Sequence, residues 1–400
     1  MISTTVGNDI AKKPHVLMLV LLISFGTVCA VLFTPALPSI SDFFGVSNAA
    51  AQLAVSLYLV GYALGQLPYG PIANRFGRLP ALKFGITLQL FGTAFCIVSY
   101  HTELFLLLLI GRFIMALGAS VGLMMAYTLL NDFYEQSAAR TIASKMMMAF
   151  AILPGVSLFL GGFLCEIFDW QSCFYFLFAY GIFMFCLATL FLKEPVFLRI
   201  KCLELKSIAD GLLVVSKNQK VVSYAMLMGG CTAIIYMYSA ASPFICMDVL
   251  QMDESQFGVL SVIPPLGILL GSWCANKLNQ KYAANIVIKY GIVFGLLSAV
   301  VMLVGFYMHM SIITLLLPMM MINASLTLVM ANASVLSSSS CDDKASAASM
   351  MNFINMSVGA VGVALLQLFP QAWLGLLPLS ILAVLLFMMI VLKVIYRFQK

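Results

Sequence analysis

An all-α membrane protein is the fold class this sequence predicts, and three observations predict it. Of 400 residues, 62% are apolar and only 9% charged, a balance that no water-soluble core absorbs. The apolar residues come in runs of about twenty, the length that crosses a bilayer as a helix. The runs do not alternate polar with apolar residues, so they are helices and not barrel strands. Lipid offers the backbone no hydrogen-bond partner, and only those two forms satisfy it internally.

Residues 1–13 are polar and end in Lys12 and Lys13. The run Val16–Phe33 follows. Basic residues before an apolar run also describe a signal peptide. This run is long, no clean small-x-small site follows it, and eleven further spans succeed it. It therefore reads as helix one, closed by Pro35 and Pro38. The next five spans fall near 50–70, 82–99, 104–128, 143–164 and 172–192. After a longer polar segment come six more, near 221–243, 256–276, 284–307, 311–333, 346–368 and 372–395. The chain thus divides into an N-terminal six-helix half at 1–192, a linker at 193–220 and a C-terminal six-helix half at 221–400. Within the linker, Val196–Ile208 mixes apolar and basic residues, the pattern of a helix lying on a membrane face.

Charge tests the count of twelve. With the N-terminus in the cytoplasm, every Lys and Arg except Arg112 falls in a cytoplasmic segment, and the outer loops carry none. A miscounted helix would flip every later loop and spoil this segregation. Twelve spans with both termini cytoplasmic is the reading that keeps it. The net charge of +6 therefore serves topology. It forms no patch for nucleic acid.

One short stretch between spans two and three is unlike the rest: Gly70-Pro71-Ile72-Ala73-Asn74-Arg75-Phe76-Gly77-Arg78. Gly70 and Gly77 permit close approach and unusual backbone angles. Pro71 lacks a helical donor and favours a break there. Arg75 and Arg78 mark the cytoplasmic side. The stretch resembles the loop signature of the major facilitator superfamily, Gly-x-x-x-Asp-Arg-x-Gly-Arg, with Asn74 where the family has Asp. Its place between helices two and three sharpens the resemblance. A faint second copy, Asn276-Lys277, ends span eight at the corresponding point of the second half, as internal repeats in carriers do.

Arg112, in Gly111-Arg112-Phe113-Ile114-Met115-Ala116-Leu117-Gly118, lies inside span four. A charge there costs about 2.5–3.5 kcal/mol on insertion scales, so it needs a partner or a watery cavity. It sits about 12 Å from the outer end at helical rise, too far to snorkel easily. It resembles the fourth-helix arginine of proton-linked facilitators, and Gly118 keeps the spacing of the glycine that follows it. Asp42, Glu103, Glu166, Asp169, Asp248, Asp253 and Glu254 fall in outer segments and the remaining acids inside; none is clearly mid-span. A lone buried arginine suits an anionic, zwitterionic or neutral cargo.

Other polar residues are candidates to line a cavity: Tyr58, Tyr62, Tyr127, Tyr236, Tyr238, Asn323, Asn352 and Asn355. Taken singly, each reads more simply as an interhelical hydrogen bond. Asn352 and Asn355, three apart, share a helix face. Pro154 and the pair Gly161-Gly162 in span five suit bending and close packing. Met146–Met148 are flexible apolar fillers. The ten cysteines are scattered with no CxxC pair, and Cys165 and Cys173 flank one outer loop. His15, His101 and His309 lie far apart, so no metal site is expected. No intramembrane His pair, Ser-His arrangement or aspartate pair suggests catalysis.

Most of the chain, about 16–390, resembles the Bcr/CflA group of drug/proton antiporters. Pro35-Ala36-Leu37-Pro38, Gly65-Gln66-Leu67-Pro68-Tyr69-Gly70-Pro71, Arg112, Asn131-Asp132-Phe133-Tyr134, Gly161-Gly162, and Trp170 with Phe174 carry the resemblance. It implies a twelve-helix carrier of a bacterial-type inner membrane, monomeric, with lipid and a small-molecule substrate as its partners. Such carriers often export drugs against protons, with no cofactor. Gly70, Asn74, Arg75, Gly77, Arg78, Asp132, Pro154, Gly161 and Gly162 would serve its conformational changes. Arg112, Tyr58, Tyr62, Tyr236, Asn323, Asn352 and Asn355 would serve substrate or coupling. Three positions depart from the group. Val31 stands where an Asp is usual, Leu158 where a proline is usual, and Asn74 where the loop Asp is usual. An anionic metabolite or a siderophore is therefore the alternative cargo. A non-transporting sensor or a membrane enzyme is the alternative from another class.

Overall fold

The computed structural model describes residues 13–192, 194, 215–308, 311–340, 344–369 and 375–397. The regular structure among them is helical. Eleven stretches are long and apolar enough to cross a bilayer. The span expected at 143–164 lies in a 33-residue helix, Gln136–Phe168, whose described apolar part is Ile152–Phe168. The expected surface helix at 196–208 lies outside the described residues, as does His309.

Helix α1 (Val16–Val31) ends before Pro35. A proline has no N–H to give the carbonyl four residues back. The Val31 carbonyl instead accepts from Thr34 Oγ1 at 2.8 Å. A 3-10 turn, Thr34–Ala36, and helix α2 (Leu37–Phe44) continue the same apolar stretch, so the prolines kink the span rather than close it.

Helices α3 (Asn48–Phe76) and α4 (Arg78–Thr102) are separated by Gly77 alone. The expected break at Pro71 does not occur: α3 runs through Pro68 and Pro71. The chain turns where φ reaches +106° at Gly77, a value open to glycine and strained for other residues. Helices α5 (Phe105–Ala119) and α6 (Val121–Phe133) form one span, joined at Ser120. Helices α7 (Gln136–Phe168) and α8 (Gln171–Phe191) meet at a tight turn where Asp169 has φ +77°.

The second part begins with α9 (Gln219–Phe244), whose N-terminus is capped by the Asn218 side chain. A π turn, Ile245–Val249, extends it. Then come α10 (Glu254–Leu260), capped by Asp253, and α11 (Ile263–Asn279), which together make one span. Helices α12 (Ala284–Met308), α13 (Ile312–Ser339), α14 (Lys344–Gln367) and α15 (Leu376–Arg397) complete the bundle. Ser311 and Thr314 form a reciprocal capping box at the start of α13.

Helices α1 and α3–α8 pack chiefly among themselves, and so do α9 and α11–α15. The two groups meet along two seams, α3 on α14 and α7 on α10 and α11. Phe84, Phe91 and Phe95 on α4, and Leu297, Val301 and Val304 on α12, are exposed. Apolar surface of this extent is stable only against lipid.

Contacts define two faces of the bundle. At one, Tyr134 Oη donates to the Pro14 carbonyl, Asn218 Nδ2 donates to the Ser340 carbonyl and Tyr396 Oη donates to the Asn285 carbonyl. This face carries both ends of the described chain. The hydrogen bonds described between the two groups lie toward the other face. There Ser39 Oγ donates to the Glu254 carboxylate at 2.5 Å, Asn48 Nδ2 to Asp248 at 3.1 Å and Gln367 Nε2 to Ser56 Oγ at 2.7 Å.

Candidate functional site

The kink in the first span creates the site's central feature. Helix α1 ends with carbonyls that its own backbone no longer pairs, a partial negative charge at a helix C-terminus. Arg112, on α5, meets them. Its Nη1 donates to the Cys29 carbonyl at 2.7 Å and its Nη2 to the Ala30 carbonyl at 3.3 Å. Its Nε reaches the Ala54 carbonyl of α3 at 3.2 Å. The guanidinium is stacked between the Phe33 ring, 3.8 Å away, and the Tyr58 ring, 4.3 Å away. Arg112 is fully buried. Carbonyl dipoles and two aromatic faces offset its desolvation, and no salt bridge to it occurs among the described residues.

Two further tyrosines continue from this point. Tyr58 donates to the Gly26 carbonyl at 2.7 Å. Its ring stacks on Tyr62 with centroids 6.1 Å apart. A side chain on Gly26 would collide with the Tyr62 ring, so α1 and α3 are held at close range. Tyr236 of α9 lies within electrostatic reach of Arg112, Tyr58 and Tyr62. Ser239, also on α9, bonds to Thr34 across the seam at 3.5 Å. Arg112, Tyr58, Tyr62 and Tyr236 therefore form one cluster, where the kinked span meets the second group of helices.

The asparagines do not join it. Asn355 accepts from Thr232 Oγ1 at 2.7 Å, tying α14 to α9. Asn323 Nδ2 donates to the Pro264 carbonyl at 2.9 Å, tying α13 to α11. Asn352 is half-buried on α14. The bonds of Asn355 and Asn323 lie within the second group of helices, the interhelical role open to them from the sequence.

The loop motif assembles at the face carrying the chain ends. Arg78 is buried, pairs with Asp132 at 3.0 Å and donates to the Ala73 carbonyl at 3.0 Å. Arg75 is exposed beside the Phe76 ring. Gly70 packs near Met124. The Asn74 side chain lies outside the described residues. Glu194, read from the sequence only as part of a linker, folds back onto this loop. Its two carboxylate oxygens accept from the Arg78 and Leu79 N–H groups at 2.6 and 2.8 Å. It thereby supplies an anion to the N-terminus of α4, where the helix dipole favours one. The only sequence signal was an acid at the end of span six.

On α7, Pro154 lies inside the helix. Gly161 presses on the Leu32 carbonyl at the kink, and Gly162 presses on the Glu254 carbonyl and Gly258. The two glycines thus touch both groups of helices. Among the described residues no cluster of His, Cys, Asp or Glu has metal-holding geometry.

Two groups of membrane helices, seamed along two pairs and built around a kinked first span with a buried arginine, define a polytopic carrier-type fold. Residues 16–363 match the Major Facilitator Superfamily, and the chain belongs to that family. Multidrug resistance protein D of Escherichia coli (strain K12) is 25% identical over 269 residues, covering 67% of this chain and 66% of that protein. An MdtL multidrug resistance protein of Shewanella oneidensis is 27% identical, covering 68% of each. A transporter of Rickettsia bellii (strain RML369-C) is 26% identical, covering 68% of this chain and 66% of that protein. With two of these relatives the match spans just under two thirds of their length. Among solved structures, a D-xylose-proton symporter superposes with a TM-score of 0.75 at 15% identity, covering 93% of this chain and 96% of the symporter. A bacterial homologue of the lysosomal transporter Spinster, inward-facing, gives 0.73 at 16% identity and covers 94% and 95%. These likenesses support the fold alone.

Proposed function

We propose that this chain is a multidrug efflux carrier of a bacterial-type inner membrane, linked to the proton gradient and working by alternating access as a monomer. The match to the family, with relatives named for multidrug resistance, carries the reading. Twelve spans with both termini cytoplasmic belong to the same proposal, and the placement of every Lys and Arg but Arg112 supports them. The face carrying the chain ends is then the cytoplasmic one. The cross-seam bonds at Glu254, Asp248 and Gln367 then hold the outer side closed. The cluster around Arg112 is the proposed substrate region, and no cofactor is needed.

Ethidium accumulation tests this. Efflux-deficient cells expressing the chain should hold less dye than cells with an empty vector, and a protonophore should abolish the difference. Equal accumulation, with the protein shown to be folded in the membrane, would overturn drug export.

A second reading, transport of an anionic metabolite or chelator, is favoured by one observation. Arg112 brings an unbalanced positive charge to the cluster, with Val31 where the resembling group carries an Asp. Uptake or release of labelled organic acids by proteoliposomes separates it from drug export.

A further inference from the structure

The turn between α7 and α8 brings two thiols face to face. Cys165 Sγ and Cys173 Sγ stand 3.4 Å apart. The turn that does this is specified in detail. Asp169 takes a positive φ of 77° and its carboxylate accepts from the Trp170 N–H at 2.6 Å. Ser172 Oγ reaches back across the turn to the Leu164 carbonyl, the residue before Cys165, at 3.0 Å. That bond sets the two cysteines opposite one another. The pair is also fixed from outside the hairpin. Cys173 Sγ lies 3.8 Å from both the Leu32 and Gly161 carbonyls, at the kink of the first span. Trp170 and Phe174, three residues before it and one after, pack against each other in a buried aromatic group.

We propose that Cys165 and Cys173 form an intramolecular disulfide that pins the outer corner of α7 to α8. The proposal rests on the orientation given above, which puts this turn on the side where oxidising conditions hold disulfides. The donor is a protein or small-molecule disulfide. A Cys165 thiolate, its proton lost to water, attacks one donor sulfur and expels the other as a thiol, leaving a mixed disulfide. The Cys173 thiolate then attacks Cys165 Sγ, and the second donor sulfur leaves. Two protein thiols are oxidised and one donor disulfide is reduced to two thiols. Both thiols are buried in the closed hairpin, and the same balance holds with the roles of the two cysteines exchanged. Exchange takes place while the hairpin is opening or first inserting, before the aromatic group closes. The consequence reaches the seam: Gly162, three residues before Cys165, is pressed against α10.

The test uses the full-length protein in detergent, incubated with oxidised glutathione, quenched in acid, denatured, alkylated and digested. The expected product is a peptide pair joined through Cys165 and Cys173, released by reductant. It is accompanied by a higher melting temperature that reductant reverses. Cys165→Ser and Cys173→Ser should each lose the linked peptide and the shift. Recovery of both residues alkylated, or of either joined to glutathione or another cysteine, would overturn the pair. Orientation is read separately. Glu166→Cys, in the Cys165→Ser/Cys173→Ser background, is treated with an impermeant maleimide in intact cells. An unlabelled Glu166→Cys beside a linked pair in detergent would overturn the orientation and leave the thiol pair standing.

Discussion

At Arg112 a charge is held in the membrane interior by neutral groups: three backbone carbonyls and two aromatic faces. Removing the guanidinium leaves buried acceptors unpaired, at about 1–3 kcal/mol each. Arg112→Ala should therefore lower the melting temperature in detergent as well as transport, and Arg112→Lys should be intermediate. An ammonium keeps the charge but cannot span Cys29, Ala30 and Ala54 as a planar fork does. An unchanged melting temperature in Arg112→Ala would show that the carbonyl bonds contribute nothing. Val31 offers the complementary experiment, since it is buried one residue from Ala30. Val31→Asp would give the arginine a counter-charge and remove the positive bias of the cluster. Ethidium export should rise relative to the native chain, while binding of organic anions should fall at least about tenfold, the equivalent of 1.4 kcal/mol. The position of Arg112 and its exceptional status were legible in the sequence. Its partners were not, because carbonyls freed by a kinked helix leave no side-chain signature.

Helix ends and crossings were legible in proportion to how locally they are specified. Spans of apolar residues and the turn at Gly77 follow from residues close in the chain; the caps at Asn218 and Asp253 are equally local but were not read from the sequence. Pro71 misled, because a membrane helix tolerates proline where its surroundings satisfy the freed groups. Glu194 was invisible for the opposite reason: its partners, Arg78 and Leu79, lie more than a hundred residues away. Its carboxylate at the start of α4 should contribute about 0.3–1 kcal/mol. Glu194→Gln should lower the melting temperature slightly, and the difference should shrink in high salt, since exposed charges are screened. A salt-independent difference would assign the effect to shape instead. At the crossing of α7 with the kink, Gly161→Ala should be far more severe, because the added methyl overlaps the Leu32 carbonyl oxygen. Loss of folded protein from the membrane fraction is the expected outcome.

Across the whole molecule, the two groups of helices are joined differently at their two ends. The described cross-seam hydrogen bonds gather toward the face opposite the chain ends, and the acids in them, Asp248 and Glu254, come from the second group. Their partners Ser39 and Asn48 flank Gly45 at the end of α2. No local pattern announces such pairs, which join residues 215 and 200 positions apart. If alternating access operates, this face must part, and these bonds oppose the parting. Glu254→Ala removes the Ser39 acceptor without touching the Arg112 cluster. It should shift the population toward the state open on that face by roughly tenfold if the bond contributes about 1.4 kcal/mol, near the upper end for an intramolecular hydrogen bond. Ser242 is a suitable reporter, because it is fully buried on α9 just before the turn that leads to Asp248. Ser242→Cys should be alkylated faster by an impermeant maleimide in the Glu254→Ala background than in the native one, and Ser39→Ala should act in the same direction. Equal rates in all three would mean that the seam is held by the helix packing of α3 on α14 and α7 on α10, and that the polar contacts follow closure without driving it.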